Sequence, residues 1–258
     1  MQVLTERHEG FAVLTINRPE ALNALNPAVL DALDQAWSDL EADEGIRVVV
    51  VTGAGDRAFV AGADIAAINR IGSAAEGERF ARRGQAIFDR IARSRLVSIA
   101  AINGYALGGG LELAMACDLR VAADSAEVGQ PEILLGVIPG FGGTQRLPRL
   151  AGSGAALWWI LTGDRVGANE AYRLGVVDRV VPKAELMTVA LDLARRLAER
   201  APIALALAKR AVREGLQGDL ATGLDLEAAL FGLTAASEDA REGTRAFLDK
   251  RPPRFRGV

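Results

Sequence analysis

The sequence predicts an α/β fold followed by a helical C-terminal region. Short apolar runs that favour strands alternate with helical segments as far as residue 150, and the pattern is mainly helical from residue 155 onward. The chain has 258 residues, and 50% of them are hydrophobic, so it can bury one sizeable core. We predict a core domain of residues 1–197 and a C-terminal helical region of residues 198–258.

The chain opens with two predicted strands and a helix. Val3–Arg7 can pair with Phe11–Asn17, whose apolar and β-branched residues favour a strand after Gly10. Asn26 and Pro27 predict a helix start, because Asn is a good N-cap and Pro fits the first turn. Beyond it we predict strands at Val48–Thr52, Ser98–Ile102 and Leu119–Ala122, helices at Gly77–Ile91 and Leu111–Cys117, and a loop at Phe59–Ile65.

The last hundred residues predict a series of helices. These are Ala155–Leu161, Asn169–Leu174, Lys183–Glu199, Pro202–Glu214, Leu220–Ala236 and Asp239–Asp249. The helix from Leu220 carries many apolar side chains, and Phe231 is the largest of them. That face either belongs to an ordinary core or packs against another subunit, and the sequence leaves both interpretations open.

The composition excludes several classes of function. A net charge of -3 gives no general attraction for nucleic acid or for an anionic membrane. A single Cys, Cys117, cannot form an intrachain disulfide and fits a reducing compartment. With a single His as well, His8, most metal sites built from His and Cys are excluded. The three lysines all lie in the last third of the chain, which disfavours a Schiff-base mechanism.

The chain shows no targeting or membrane signal. Its N-terminus lacks the pattern of a signal peptide. The apolar run Ile99–Cys117 is long, but it contains four glycines together with Asn103 and Glu112, which favours a buried strand, loop and helix over a membrane span. We therefore expect a soluble, cytoplasmic protein.

Two glutamates stand out because each lies in a glycine-rich and almost uncharged stretch. Glu112 follows the triple glycine Gly108–Gly110, and Glu132 follows Pro131. Burying a carboxylate costs several kcal/mol unless it is paired or hydrogen-bonded. Two acids with tuned pKa values can move protons to and from a substrate or a water molecule. Glu132 could equally be a buried acid held by a neighbouring N–H group.

Two loops could supply free main-chain N–H groups. Gly104–Gly110 leads directly into a predicted helix, whose first N–H groups and positive dipole end suit an anion or a developing oxyanion. Tight packing of strand on helix would also explain these glycines. The second loop, Ala61–Ile65, could add another N–H group, with Asp64 as the N-cap of a following turn.

Taken together, four segments resemble the crotonase, or enoyl-CoA hydratase, superfamily over nearly the full chain. They are Asn17–Asn26 (NRPEALNALN), Ala58–Ile65 (AFVAGADI), Ala101–Ala114 (AINGYALGGGLELA) and Gly129–Leu147 (GQPEILLGVIPGFGGTQRL). The resemblance implies a spiral of ββα units with a helical C-terminal region that mediates trimer contacts. It also implies a homotrimer, or a homohexamer made of two trimers.

The same resemblance implies the catalytic groups. Ala63 and Gly109 match the family's oxyanion-hole N–H donors, and Glu112 and Glu132 match the two carboxylates of the hydratases. The implied reaction is the reversible addition of water to a trans-2-enoyl-CoA, with no metal and no other cofactor. Its partner is the acyl-CoA substrate, with neither nucleic acid nor membrane involved.

The resemblance places further residues at substrate-binding or CoA-binding positions. They are Ala24, Arg57, Ala61, Asp64, Ile65, Tyr105, Leu107, Gly108, Pro131, Gly140, Phe141 and Lys250, the last acting from a neighbouring subunit. Many hydratases have Lys where this chain has Ala66, which weakens the expected grip on the CoA phosphates. Tyr105, Phe141 and the pair Trp158–Trp159 are candidates for the acyl-tail pocket, although aromatic residues are more often plain core.

Two other functions compete with hydration. One is a different crotonase-type reaction, such as double-bond isomerisation, hydrolysis or decarboxylation. The other is a non-catalytic oligomer that binds acyl-CoA or RNA, which would leave the paired acids without a role. The presence of both Glu112 and Glu132 favours hydration.

Overall fold

The computed structural model describes residues 1–258 and contains two sheets and ten helices. The strands are β1 Val3–Arg7, β2 Phe11–Ile16, β3 Val48–Gly53, β4 Ala58–Val60, β5 Val97–Ile102, β6 Tyr105–Leu107, β7 Leu119–Ala123, β8 Glu127–Gly129, β9 Arg165–Gly167 and β10 Arg179–Val181. The helices are α1 Pro27–Glu41, α2 Ile65–Asn69, α3 Ala74–Arg93, α4 Gly109–Ala116, α5 Gly143–Thr162, α6 Ala168–Arg173, α7 Leu186–Ala198, α8 Pro202–Gly215, α9 Leu220–Ala235 and α10 Glu238–Leu248.

The two sheets are built by a repeating unit. The larger sheet has the order β1-β2-β3-β5-β7-β10 and the smaller one has the order β4-β6-β8-β9. In each turn one strand enters the large sheet, the next strand enters the small sheet, and a helix follows, as in β5, β6 and α4. The pairs β3–β5, β5–β7, β4–β6 and β6–β8 are all parallel. The predicted α/β spiral of ββα units is therefore confirmed.

The two central strands of the large sheet, β3 and β5, are fully buried. This burial explains why both strands are continuous apolar runs without alternation. Helix α1 packs on this sheet through Leu30, Leu33 and Trp37, all of which are fully buried. The predicted N-cap is also confirmed, because the Asn26 side chain accepts a hydrogen bond from the Val29 N–H at 2.8 Å.

Several predicted boundaries were wrong. The predicted loop Phe59–Ile65 begins inside β4, and α5 starts at Gly143, twelve residues before the predicted Ala155. A break at Gly152, which has φ 78°, interrupts α5 and hid its first half from a search for helical periodicity. Four strands of three residues, β6 and β8–β10, were not predicted, because three residues are too few to display a period of two.

The C-terminal helices are attached to the core by a buried charge cluster around Asp118. Its carboxylate accepts from the backbone N–H and the hydroxyl of Ser98, at 2.8 and 2.9 Å. From α8, Lys209 Nζ and Arg213 Nη2 reach the same carboxylate at 2.8 and 2.9 Å. The side chain of Lys209 is only 9% exposed, and burial lowers its pKa. The boundary after residue 197 stays a prediction.

No helix is long and apolar enough to span a lipid bilayer.

We predict that Asp118→Ala destabilises the protein strongly. Removing the acid leaves Lys209 and Arg213 without their partner in a poorly solvated position, which typically costs about 3–5 kcal/mol. The measurement is the shift of the urea unfolding midpoint. The control is Glu214→Ala, which breaks an exposed pair with Arg210 on the same helix and should cost less than about 1 kcal/mol. Equal midpoints for the two variants would contradict this account.

Candidate active site

Three loops meet at one edge of the small sheet. Strands β4, β6 and β8 are parallel neighbours, so their carboxyl ends point the same way. The segment after β4 carries Ala63, the segment after β6 carries Gly109, and the segment after β8 carries Glu132. Ligands in open parallel sheets bind at the carboxyl ends of the strands. The fold thus gathers residues that are far apart in the sequence.

The first loop presents the N–H group of Ala63. Its two neighbours in the chain are engaged with Leu25, because Gly62 O accepts from Leu25 N at 2.8 Å and Asp64 N donates to Leu25 O at 2.9 Å. The N–H group of Ala63 itself donates to no group of the chain. Asp64 holds the end of the loop, since its side chain accepts from the N–H groups of Ala66 and Ala67 and pairs with Arg18 at 3.0 Å. The hydrogen bond from Arg18 lowers the pKa of Asp64.

The second loop turns from β6 into α4 through three glycines. Gly108 has φ 51° and ψ -123°, and its N–H group donates to Gly129 O at 2.9 Å. Gly109 then opens the helix, so its N–H group has no partner within the helix. A Cβ on Gly110 would overlap the carbonyl of Val60, which shows how closely α4 lies on β4.

The free N–H groups of Ala63 and Gly109 lie close together. The Ala63 nitrogen is 3.4 Å from the position that a Cβ on Gly109 would occupy. Two unpaired donors side by side can bind one oxygen atom that carries negative charge. The structure therefore brings together the two amides to which the family resemblance assigns an oxyanion hole.

Glu112 lies one helical turn after Gly109 and is 1% exposed. Its Oε1 accepts hydrogen bonds from the N–H groups of Phe141, at 2.8 Å, and of Gly143, at 2.6 Å. Burial raises the pKa of Glu112 to about 7, while the N–H groups of Gly143 and Phe141 act in the opposite direction. A carboxyl group with this pKa exchanges its proton near neutral pH.

Glu132 lies in a 3-10 helix, Pro131–Leu135, beside the start of α4. Its Oε1 is 2.8 Å from the position that a Cβ on Gly108 would take, so residue 108 must be glycine for the acid to come this close. Burial and, as the second cause, the nearby charge of Glu112 together raise the pKa of Glu132 to about 8. The two acids are therefore near enough for their titrations to be coupled.

Gln130 is a site residue that the sequence analysis missed. Its side chain is fully buried, and its terminal amide group lies 2.9 and 3.1 Å from the two carboxyl oxygens of Glu132. It also packs against Gly143, which holds Glu112. The only feature of the sequence that marks Gln130 is its position before Pro131, and a glutamine at such a position is typical of an ordinary loop.

Asn23 is a second buried residue near the site that the sequence analysis missed, because an asparagine in a turn is typical of an ordinary loop. It is fully buried, and its amide nitrogen donates to the carbonyls of Ala54 and Ala58 at 3.0 and 2.8 Å. Its Oδ1 accepts from the N–H group of Arg18 at 2.9 Å. Asn23 thus fixes the turn that precedes Leu25, and Leu25 in turn holds the Ala63 loop.

The other predicted binding residues fall into two groups. Ala24, Ala61, Leu107, Gly108, Pro131, Gly140 and Phe141 lie on the segments that carry the acids and the free amides, or on the segments hydrogen-bonded to them. Ile65 is 61% exposed at the start of α2. Arg57 and Lys250 are exposed, in the turn before β4 and after the end of α10.

The aromatic candidates for the acyl pocket have different environments. The ring of Tyr105 lies under the Arg165 guanidinium, 5.8 Å from ring centroid to Cζ. Trp158 is exposed and donates its indole N–H to Asp164 at 3.1 Å, whereas Trp159 belongs to the core. Phe141 is buried close to both Gly109 and Glu112.

A profile described as enoyl-CoA hydratase/isomerase matches residues 6–258. The chain belongs to this family. A crotonyl-CoA hydratase of Syntrophomonas wolfei is 46% identical over 253 residues, which cover 98% of this chain and 97% of that protein. A short-chain-enoyl-CoA hydratase of Clostridium acetobutylicum is 44% identical, with 96% of this chain and 95% of the relative covered. The crystal structure of an enoyl-CoA hydratase from Bacillus anthracis superimposes with a TM-score of 0.96 at 38% identity, covering all of both chains.

Within this enoyl-CoA hydratase/isomerase fold, we predict that Glu112→Gln stabilises the protein at alkaline pH. The pKa of Glu112 rises from its ordinary value of 4.5 to about 7 on folding, so the folded protein binds more protons than the unfolded chain between these values. Stability therefore falls as pH rises through this window, by on the order of 2 kcal/mol for this group. An amide has no charge to desolvate and does not titrate.

The measurement is the unfolding free energy of both proteins at pH 5 and at pH 8. The advantage of Glu112→Gln should be larger at pH 8 than at pH 5. The control is Glu9→Gln, at an exposed position in the turn between β1 and β2, and it should follow the wild type. A constant difference between Glu112→Gln and the wild type at both pH values would contradict the pKa shift.

Proposed function

We propose that this protein is an enoyl-CoA hydratase, a hydro-lyase that adds water reversibly to a trans-2-enoyl-CoA and forms the 3-hydroxyacyl-CoA. The observation that carries the proposal is the meeting of two free amides, of Ala63 and Gly109, with two acids of raised pKa, Glu112 and Glu132. The named relatives, a crotonyl-CoA hydratase and a short-chain-enoyl-CoA hydratase, support it.

The two amides act on the thioester oxygen. When water attacks C3, negative charge moves onto the carbonyl oxygen of the conjugated thioester. The N–H groups of Ala63 and Gly109 donate to this oxygen without rearrangement, because neither has another partner. Removal of one such donor typically costs about 2.7–4 kcal/mol of transition-state stabilisation.

The two acids divide the proton transfers. Glu112 ionises first, because two N–H groups stabilise its charged form, and it takes the proton from the attacking water. Glu132 keeps its proton longer, because burial and the charge of Glu112 disfavour ionisation, and it protonates C2. One C–O bond and one C–H bond form, and the proton gained by Glu112 returns to Glu132 through the coupled pair.

In this proposal the reaction uses only groups of the protein itself. Water addition transfers no electrons and so needs no redox cofactor, and the amides of Ala63 and Gly109 stabilise the charge on the carbonyl oxygen without a metal ion. Ala24 and Ile65 line the adenine and pantetheine slot, and Arg57 and a neighbouring subunit's copy of Lys250 approach the CoA phosphates. Asp64 acts indirectly, because its carboxylate is engaged by Arg18 and by the cap of α2. The cytoplasm stays our prediction for the location.

We predict that Glu112→Gln and Glu132→Gln each lose about 100- to 10,000-fold in turnover of crotonyl-CoA, the range typical of a lost general acid or base. The assay follows the loss of conjugation in the ultraviolet. The control is Glu127→Gln on β8, five residues before Glu132. Near-normal hydration by Glu132→Gln would reject its role, and an isomerase would tolerate loss of Glu112 better than a hydratase.

The pH profile gives an independent check. Because the charged form of Glu112 and the protonated form of Glu132 are both required, kcat/KM should be bell-shaped, with its maximum between the pKa values of about 7 and about 8. In Glu112→Gln the rise on the acidic side should disappear. A wild-type profile that is flat from pH 6 to pH 9 would contradict the shared-proton mechanism.

We further propose that the chain assembles as a homotrimer or as a homohexamer of two trimers. Large apolar side chains are exposed on α5 and on α9, among them Trp158, Leu161, Leu220 and Phe231. Exposed groups of apolar side chains commonly mark protein–protein interfaces. The 3-10 helix that carries Glu132 borders the exposed part of α5, because Leu134 contacts Gly163.

We predict that light scattering finds three or six times the 27.2 kDa mass of one chain. A charge at Phe231, which is 70% exposed, should break the assembly into smaller species if this face is covered by another copy. The variant is Phe231→Asp, and the control is Leu4→Asp, at an exposed position on β1 outside this surface. A wild-type protein that elutes and scatters as a monomer would contradict the proposal.

A further inference from the structure

The ring of Phe141 fits against a glycine in the middle of a long helix. Gly84 lies within α3, and a Cβ at this position would overlap three ring atoms of Phe141. Gly84 has no positive φ, so conformational freedom does not explain it. A glycine inside a helix costs about 1 kcal/mol relative to alanine. The space that the ring of Phe141 occupies explains why residue 84 is glycine in spite of this cost.

The ring is held firmly in this space. It lies 5.2 Å from the ring of Phe80 and 5.6 Å from that of Phe88, measured between centroids. The side chain of Gln85 donates to Gly140 O at 2.9 Å, which ties the loop before Phe141 to α3. Phe141 is 3% exposed, and a close-packed interior leaves such a ring little room to move aside.

The same ring borders the reacting groups. Its Cδ2 atom is 3.4 Å from the position of a Cβ on Gly109, whose N–H group points at the proposed thioester oxygen. The N–H group of Phe141 itself donates to Glu112, which faces C3 in the proposed mechanism. Phe141 therefore lies beside both ends of the reacting unit. In the proposed mechanism C3 lies beside Glu112, so an acyl chain that continues beyond C3 approaches the loop that carries Phe141.

We propose that Phe141, seated on Gly84, is the wall that limits the substrate to short acyl chains. A four-carbon enoyl group ends before the ring, whereas a longer chain needs the volume that the ring occupies. The inference rests on the proposed hydratase function and adds the class of substrate. It makes Phe141 a specificity-determining residue through its ring, apart from the role of its N–H group.

The test is a panel of 2-enoyl-CoA substrates with 4, 6, 8 and 16 carbons, assayed by loss of conjugation with wild type, Phe141→Ala and Phe141→Leu. Wild type should prefer the four-carbon substrate over the longest by at least about tenfold in kcat/KM, since misfit of a single methylene already supports that much. Phe141→Ala should raise the ratio of long-chain to short-chain kcat/KM by at least about tenfold, and Phe141→Leu by less. The control is Phe11→Leu, which replaces an equally buried phenylalanine on β2 of the large sheet and should leave the ratio unchanged.

A second pair of variants tests the seating of the ring. Gly84→Ala should lower the melting temperature of the wild type, because its methyl group overlaps the ring. In the Phe141→Ala background the same change should not lower it, because the space is then free. The double variant should also regain part of the preference for the four-carbon substrate. Additive effects on melting temperature would overturn the proposed fit.

The outcomes separate this inference from the proposed function. If wild type hydrates crotonyl-CoA but treats all chain lengths alike, the inference fails and the hydratase function stands. An unchanged ratio in a folded Phe141→Ala protein would also overturn it. If no enoyl-CoA is hydrated by the wild type, the proposed function fails and the inference fails with it.

Discussion

The hydrogen bonds from Phe141 and Gly143 to Glu112 are the interaction on which the rest of the site depends. Burying the ionised form of a carboxyl group that is 1% exposed would be very unfavourable without hydrogen-bond partners. These two N–H groups stabilise the ionised form and bring no charge of their own. The result is an acid that can hold or release a proton near pH 7. Its charge then acts on Glu132 and raises the second pKa above the first. One buried acid held by main-chain amides thus sets the protonation order of the pair.

The repeated ββα unit of the fold places the loops that form this site next to each other. Because each turn of the spiral adds a parallel strand to the small sheet, the loops after β4, β6 and β8 meet at one edge. Close approach there requires missing side chains, since a Cβ on Gly110 would overlap Val60 and one on Gly108 would press on Glu132. The packing of strand on helix that the sequence offered as one explanation of the glycine cluster is therefore confirmed. Its role in binding an oxyanion stays a prediction.

The features that could be predicted from the sequence are those that show a pattern over several consecutive residues. The buried runs of β3 and β5, the cap at Asn26 and the pair of acids are local patterns, and the structure has all of them. The three-residue strands are too short to carry a period, and the break at Gly152 concealed half of α5. The role of Gln130 depends on a contact across a turn with Glu132, and that of Gly84 on a ring 57 positions away, so neither could be recognised from its neighbours.

The most direct test of the central claim is a carbon-13 NMR titration of protein labelled at the glutamate side-chain carboxyl carbons, with Glu112→Gln and Glu132→Gln spectra to assign the two signals. The account predicts that the Glu112 signal moves first, near pH 7, and that Glu132 stays protonated until about pH 8. In Glu112→Gln the Glu132 transition should move to lower pH, because the neighbouring charge is gone. Two carboxylates that are both ionised below pH 6 would contradict the account.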